Sequence, residues 1–392
     1  MLERDQSRVL VLGPALWRVG ERWDGQQPVL VSELPDGGAG HNTTLLSWPQ
    51  DKPVQAMACT GSTTDMVTLT APLFHSLNAG PALRRLGDTL WPGQAVAPLF
   101  ILGRAGDIII LHAQVRLGDR DALFVRSGTT PVAGKQINFP ALLSEAISQA
   151  GRHREFLNNH QCCYTNFWPE DEIEHKITLT APVDIHAITV DLRNLVGSSQ
   201  MPDYIWDYRD DYQMWDFDNH MFAITEPVSD AGYISFIPDS AGTVIVKRKW
   251  FVRDTIRRRE ARWRNVAIPA TQTGFDTYLQ TEVKVNANYV GSFRRTRFDT
   301  TCEATHTGNI YGLMVDWCRP LRDLRNKHLY QVEIEYLHSR TLEPGSADAV
   351  DEELRFLVSV VQRYLQSSNI PHVSGGESKL TYMHSLNRPG VP

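Results

Sequence analysis

The sequence predicts an α+β chain that is mainly antiparallel β: a β-rich N-terminal domain, then a closed β-barrel with flanking helices. Three observations carry that expectation. Short apolar runs recur along the chain, separated by turn-forming clusters such as Pro35-Asp36-Gly37-Gly38 and Ser127-Gly128-Thr129-Thr130. Four or five of the later runs place two or three charged side chains on one strand face and apolar ones on the other. One amphipathic helix is written near the C-terminus, with Leu354, Leu357, Val358, Val361 and Leu365 at helical spacing between residues 348 and 367.

A length of 392 residues favours two domains, drawn at 1–160 and 161–392. No apolar run reaches the roughly 18 residues that span a bilayer, so no membrane partner is expected. Met1-Leu2-Glu3-Arg4-Asp5 lacks the apolar core of a signal peptide. Five cysteines, two of them adjacent at Cys162 and Cys163, form neither a disulfide framework nor a zinc spacing, and a cytoplasmic location is expected. The net charge of -6 hides nine Lys or Arg between residues 247 and 264, with Arg294, Arg295 and Arg297 as a second basic group. Positive charge concentrated in a few strands of an acidic chain suits a compact anion better than a nucleic-acid backbone.

Strands are expected at 8–13, 28–32, 54–59, 65–70, 98–102, 107–115 and 122–126, and a helix from Pro140 to about Asn158. This half carries no catalytic signature. Gly13 follows a strand without the further glycines of a dinucleotide loop. His41, His75 and His112 stand alone and read as packed or surface histidines.

The second half opens on Glu172-Ile173-Glu174-His175-Lys176, the head of a strand running to Thr180. Glu172, Glu174 and Lys176 share one face; Ile173, His175, Ile177 and Leu179 share the other. A strand-like stretch follows at 183–191. Trp206 to Phe222, dense in aromatics and aspartates, reads by itself as a surface turn with aromatic anchors. Thr243 to Phe251 is a strand with Lys247 and Lys249 on one face, and Arg257 to Val266 a strand pairing Arg262 with Arg264. Gly274 to Ala287 is a helix or a helix-strand pair. Strands at 289–300, 309–316 and 329–337 follow, with Arg295 and Arg297 sharing a face, and Glu333 and Glu335 sharing another.

Any one such strand is an ordinary sheet with a solvated face. Closed into a barrel, the set would line a polar lumen with both signs of charge. Carboxylates there would repel each other without a divalent cation, and oxygen ligands suit Mg²⁺ or Mn²⁺. Lys and Arg would clamp phosphate oxygens, which is the equipment of phosphoryl transfer.

Glu172-x-Glu174-x-Lys176 resembles the signature first strand of the triphosphate tunnel metalloenzymes, the CYTH superfamily. Later features are similar and come in the same order: Trp215-Asp216-Phe217-Asp218, Lys247-x-Lys249 where Arg-x-Arg is usual, Arg295-x-Arg297, Asp316, and Glu333-x-Glu335. Ser378-Lys379 resembles a lysine site of the polyphosphate-polymerase branch. The resemblance covers about residues 165 to 385 and not the first 160. It implies metal ligation by Glu172, Glu174, Glu333 and Glu335, with Glu172, Glu174 and Lys176 at the catalytic centre. It implies triphosphate binding by Lys176, Lys247, Lys249, Arg262, Arg295, Arg297 and Lys379, and an orienting role for Asp316.

The implied activity is metal-dependent hydrolysis of inorganic triphosphate or a nucleoside triphosphate. The same cavity could serve a nucleotidyl cyclase, a polyphosphate polymerase, or a silent polyphosphate- or nucleotide-binding module. The expected partner is a triphosphate-containing small molecule. A nucleic acid would enter only by a 5'-triphosphate end, and a homodimer is left open.

Overall fold

The computed structural model describes residues 2, 4–21, 23, 27–35, 40–47, 54–60, 63–69, 81–94, 96–118, 121–132, 137–158, 164–207, 212–250, 256–322, 327–375 and 378–387. Among the sequence-based expectations, those for His75, Cys162 and Cys163 lie outside these residues. The chain divides into two units. The first is Met1–Thr165 with Ala304–Gly308 and Ser339–Gly345; the second is Asn166–Glu303, Asn309–His338 and Ser346–Pro392. The two short segments join the first unit through backbone and side-chain bonds. The Thr43 amide donates to the Thr305 carbonyl at 2.9 Å, and Asn42 Nδ2 donates to the Thr307 carbonyl at 3.2 Å.

The first unit is an open antiparallel sheet of β1 (Arg8–Pro14), β2 (Val29–Leu34), β3 (Thr43–Ser47), β4 (Val54–Thr60), β5 (Thr63–Leu69), β6 (Val96–Ala105), β7 (Ile108–Leu117) and β8 (Asp121–Pro131). Their order is β3-β8-β7-β6-β1-β2-β4-β5. Helix α1 (Pro81–Leu90) precedes β6, and Trp91 just beyond it packs into a core with Leu10, Leu12, Leu30, Ile101 and Phe124. The helix expected at 140–158 is two, α2 (Phe139–Arg152) and α3 (Arg154–Asn158), broken at His153. Asn138 caps α2 by accepting from the Ala141 amide at 3.2 Å. His112 is a packed histidine: its Nε2 bonds the His41 carbonyl at 2.7 Å, and burial pushes its imidazole down to about 4.

The second unit is built from β9 (Asp171–Leu179), α4 (Ile185–Leu195), β10 (Tyr204–Trp206), β11 (Gln213–Glu226), β12 (Gly232–Pro238), β13 (Val244–Trp250) and β14 (Arg257–Val266). Then come α5 (Gln272–Tyr278), β15 (Asn286–Ala304), β16 (Asn309–Pro320), β17 (Leu329–Ser339), α6 (Ala347–Ser367), β18 (His372–Ser374) and α7 (Lys379–Asn387). Strands pair in the order β15-β11-β12-β13-β14-β9-β17-β16, and β16 pairs back onto β15. Eight antiparallel strands therefore close a barrel, with β10 and β18 added outside the ring. At this strand number the interior is just wide enough for side chains or one small ligand.

Two local readings are corrected, and a third, left between a helix and a helix-strand pair, resolves as the latter. Residues 183–191 are not a strand: Asp184 accepts from the His186 and Ala187 amides at 3.0 Å and starts α4, whose Ile185, Ile188 and Leu192 are buried at helical spacing. Trp206–Phe222 is not a surface turn, since β11 supplies a barrel wall. There Arg294 bonds Asp216 at 2.7 Å on the outer face, and Trp215 and Phe217 take the inner one. Residues 274–287 resolve as α5, a turn at Leu279–Val283, and the start of β15.

Helix α7 crosses one end of the barrel. Its Leu380, Tyr382 and Met383 pack with Met221, Phe293 and Cys318, whose strands β11, β15 and β16 bring them there. Each such apolar side chain taken from water contributes about 1.5–3 kcal/mol. Gly291, at φ +140°, lies beneath Met383, and a Cβ there would stand 2.5 Å from Met383 Cε.

Candidate functional site

Alternation along the strands decides what the lumen contains. The register sets Lys249 opposite Glu260, Arg258 opposite Glu172, and Lys176 and Glu174 opposite Glu333 and Glu335. On the far wall Arg297 faces Asp316 across β15 and β16. Among the described residues, six carboxylates (Glu172, Glu174, Glu260, Asp316, Glu333, Glu335) meet seven cations (Lys176, Lys247, Lys249, Arg258, Arg295, Arg297, Lys379). Most are buried: Glu172 is 6% exposed, Glu174 3%, Lys176 7% and Asp316 0%. Charge at this depth is tolerated only when paired and hydrogen-bonded.

The charges sort into two groups. In the first, Lys249 Nζ donates to both Glu172 oxygens at 2.5 Å, and Arg258 Nε donates to Glu172 at 3.0 Å. Arg258 and Lys176 both donate to Glu174. Glu260 lies 3.2 Å from Lys247 and 3.3 Å from Lys249. In the second, Asp316 accepts from Arg297 at 2.6 Å and Lys379 at 2.9 Å, with Arg295 at 3.6 Å. Glu333 accepts from Arg297 and Lys379, with Lys176 3.9 Å away. Arg295 also lies over the Phe217 ring at 4.6 Å.

The titration behaviour follows. Burial would raise the Glu172 and Glu333 carboxyls, but the cations outweigh it and hold both well below the usual range: Lys249 and Lys247 at Glu172, Lys379 and Arg297 at Glu333. Asp316 is likewise lowered, by Arg297, Lys379 and Arg295 acting against burial. Glu335 goes the other way. Burial raises it, and the Glu172 charge raises it further. Lys247 is pushed down to about 8 by burial, with Lys249 adding to the shift against Glu260.

Oxygen atoms of Glu172, Glu174 and Glu335 all lie within 4.8 Å of one another. Three converging carboxylates are the donor set of a hard divalent cation. Glu335 supplies the fit test: its carboxyl is raised, and no salt bridge reaches it among the described residues. A cation among the three carboxylates would relieve that shortage of positive charge.

All the residues to which the resemblance assigned metal or phosphate binding are brought to the lumen or its rim, but not in the groups expected. Glu333 lies among Arg297 and Lys379 rather than in the carboxylate trio. Arg262 stands at the rim, with 38% of its side chain exposed and Glu260 at 3.3 Å. Two lumen residues were missed, Arg258 and Glu260. Their strand carries charge on both faces, since Arg257 and Arg259 turn outward to Asp171 and Glu170, so alternation there does not reveal which face is inner.

The second unit is thus a closed eight-stranded antiparallel barrel whose lumen is lined by both signs of charge. Among solved structures the chain is similar to the putative adenylyl cyclase HpAC1 from Hippeastrum, described as having a dominant triphosphatase activity. That match has 16% identity over 55% of this chain and 95% of the other, with a TM-score of 0.29. It is also similar to the Pct1 RNA triphosphatase of S. pombe, at 11% identity over 55% and 86%, with a TM-score of 0.21. The di-domain ARO/CYC StfQ from the steffimycin biosynthetic pathway matches at 9% identity over 92% of both chains, with a TM-score of 0.13. No family model and no curated protein matches the sequence. No helix among the described residues is long and apolar enough to cross a membrane.

Proposed function

We propose that the chain is a divalent-metal-dependent triphosphatase that hydrolyses inorganic triphosphate or a nucleoside triphosphate inside the barrel. The observation that carries this reading is the split of the lumen charges. Glu172, Glu174 and Glu335 converge within 4.8 Å, while Arg295, Arg297 and Lys379 gather beside Asp316. A pure anion binder gains nothing from three converging carboxylates.

In this reading Glu172, Glu174 and Glu335 hold Mg²⁺ or Mn²⁺, which when bound offsets the charge of the phosphate oxygens. Arg297 and Arg295 fork onto phosphate oxygens, and Lys176, Lys247, Lys249 and Lys379 act as point charges. Asp316 holds the Arg297 fork and the Lys379 ammonium in place. Glu333 shares the same two donors and is a positioning residue. The barrel supplies position and charge, and water supplies the nucleophile.

The test is to incubate the protein with tripolyphosphate, ATP and GTP, with Mg²⁺ or Mn²⁺, and to identify every product. Orthophosphate release that disappears in Glu172→Ala and Glu174→Ala is the expected result. A cyclic nucleotide or a lengthening polyphosphate would replace hydrolysis by cyclisation or polymerisation. Tight binding without turnover under both metals would reduce the tunnel to a binding module.

A further inference from the structure

Among the described residues one end of the lumen is closed, and we infer that a substrate enters from the other, end-on, and is shortened by one phosphate per encounter. This rests on the reading above and narrows it to the free ends of linear phosphate chains.

The closed end is built by α7. Lumen-facing Met221 and Cys318 are fully buried there, and Phe293 is 2% exposed. Leu380, Tyr382 and Met383 lie across them as one apolar layer. Ser378 caps the helix, its Oγ accepting from the Thr381 amide at 3.0 Å, and Tyr382 Oη ties the helix to the barrel by donating to the Lys327 carbonyl at 2.7 Å. Gly291 leaves room for Met383 and none to spare. At the start of the same helix Lys379 turns into the lumen, so the anion-binding group of Arg297, Lys379 and Arg295 lies against this floor. At the other end of β11 the inner-face side chains are exposed. Trp215 is 49% exposed and leans to Asp299, with its Nε1 donating at 3.2 Å, and Arg262 stands at the rim.

A phosphate cannot cross an apolar floor, because an unpaired charge there costs far more than any barrier a turnover can tolerate. The chain end therefore leads. Water forms a bond to the terminal phosphorus, the bridging P–O bond breaks with its electron pair on the shortened chain, and the proton leaves with the products. Orthophosphate then lies deepest, behind the remaining chain, and escapes only after that chain withdraws. Successive cuts without release are excluded by the same geometry. So is polymer growth through the tunnel, since the product would have to leave by the mouth through which each new nucleotide enters.

The experiment uses the full chain with Mn²⁺ and three probes: linear tripolyphosphate, cyclic trimetaphosphate, and a linear polyphosphate of about a hundred units. Expected are hydrolysis of the linear trimer, no hydrolysis of the ring, and a long-chain sample in which all chains shorten in step while orthophosphate accumulates. Cleavage of the ring at the trimer's rate, fully digested chains beside intact ones, or two long fragments from one chain would each overturn the proposal. If nothing is hydrolysed, the triphosphatase reading falls, and the closed end is judged by thiol labelling mapped by mass spectrometry. Cys318 is expected to react with a maleimide at least ~100-fold more slowly in the native chain than in urea. Rapid native labelling of Cys318 would show an open floor. In Leu380→Ala/Met383→Ala the same thiol is expected to gain reactivity while the circular dichroism of the barrel is kept; if that variant unfolds, the native-chain rate decides.

Discussion

The two charge groups of the lumen are built from the same side-chain types in different proportion. Around Asp316 and Glu333 the cations win, with Arg295, Arg297, Lys379 and Lys176 in reach and both carboxyls held down. Around Glu172, Glu174 and Glu335 a carboxylate is left over: Glu335 is raised by burial and by Glu172, and no salt bridge reaches it among the described residues. A buried group with surplus positive charge takes an anion, and a carboxylate that no cation reaches takes a metal ion. The lumen thus holds two electrostatically different groups before any ligand enters.

The comparison breaks most visibly if the carboxylate trio is removed. Glu172→Ala or Glu174→Ala is expected to lower kcat by about 10²-fold or more and to weaken Mn²⁺ binding, read by steady-state assay and by calorimetry. An unchanged Mn²⁺ affinity would move the cation site elsewhere.

Next in size is a pair of charge-to-amide changes read by thermal unfolding without metal. Asp316→Asn leaves Arg297 and Lys379 to share the single buried carboxylate of Glu333 and is expected to cost about 3–5 kcal/mol. Glu335→Gln removes a charge that its surroundings already disfavour, and its melting temperature is expected to stay within about 2 °C of the parent or to rise. Equal losses in the two variants would erase the difference between the two groups.

A smaller effect is expected from pH. Lys247 titrates near 8, so the lumen loses a positive charge as pH rises through that value. KM for tripolyphosphate is expected to rise above pH 8, and binding there to take up a proton, because the anion favours the charged lysine. Lys247→Arg keeps its charge throughout and should flatten that limb. Glu335 has the reverse sign: its carboxyl is raised, so the proton competes with the metal as pH falls, and Mn²⁺ affinity is expected to drop first on the acid side. The smallest effect is assigned to Arg262→Gln. As an exposed rim charge beside Glu260 it is expected to change KM by only about two- to threefold, mostly at low salt.

Much of the barrel was legible before any coordinates. Glu172-x-Glu174-x-Lys176, Arg295-x-Arg297 and Glu333-x-Glu335 alternate charge with apolar residues so strictly that strand and face follow from a period of two. Apolar residues at helical spacing likewise placed α6 nearly to the residue. Where the cue was mixed, the reading went astray. The stretch at 183–191 hid a helix whose start depends on the Asp184 cap, and β11 put aromatics and aspartates on opposite faces and looked like a turn.

What the sequence by itself determined, then, is which residues carry charge on a common strand face, because side-chain alternation is a local property of extended backbone. Only the tertiary structure decided which face turns inward on β14, where Arg258 and Glu260 point into the lumen and Arg257 and Arg259 away from it. It also separated Glu335 from Glu333, two residues apart on one strand, into opposite electrostatic surroundings. And it brought Lys379 and its helix, distant in sequence, across the end of the barrel. Those outcomes depend on closure, register and packing between segments tens of residues or more apart, and no local window along the chain contains them.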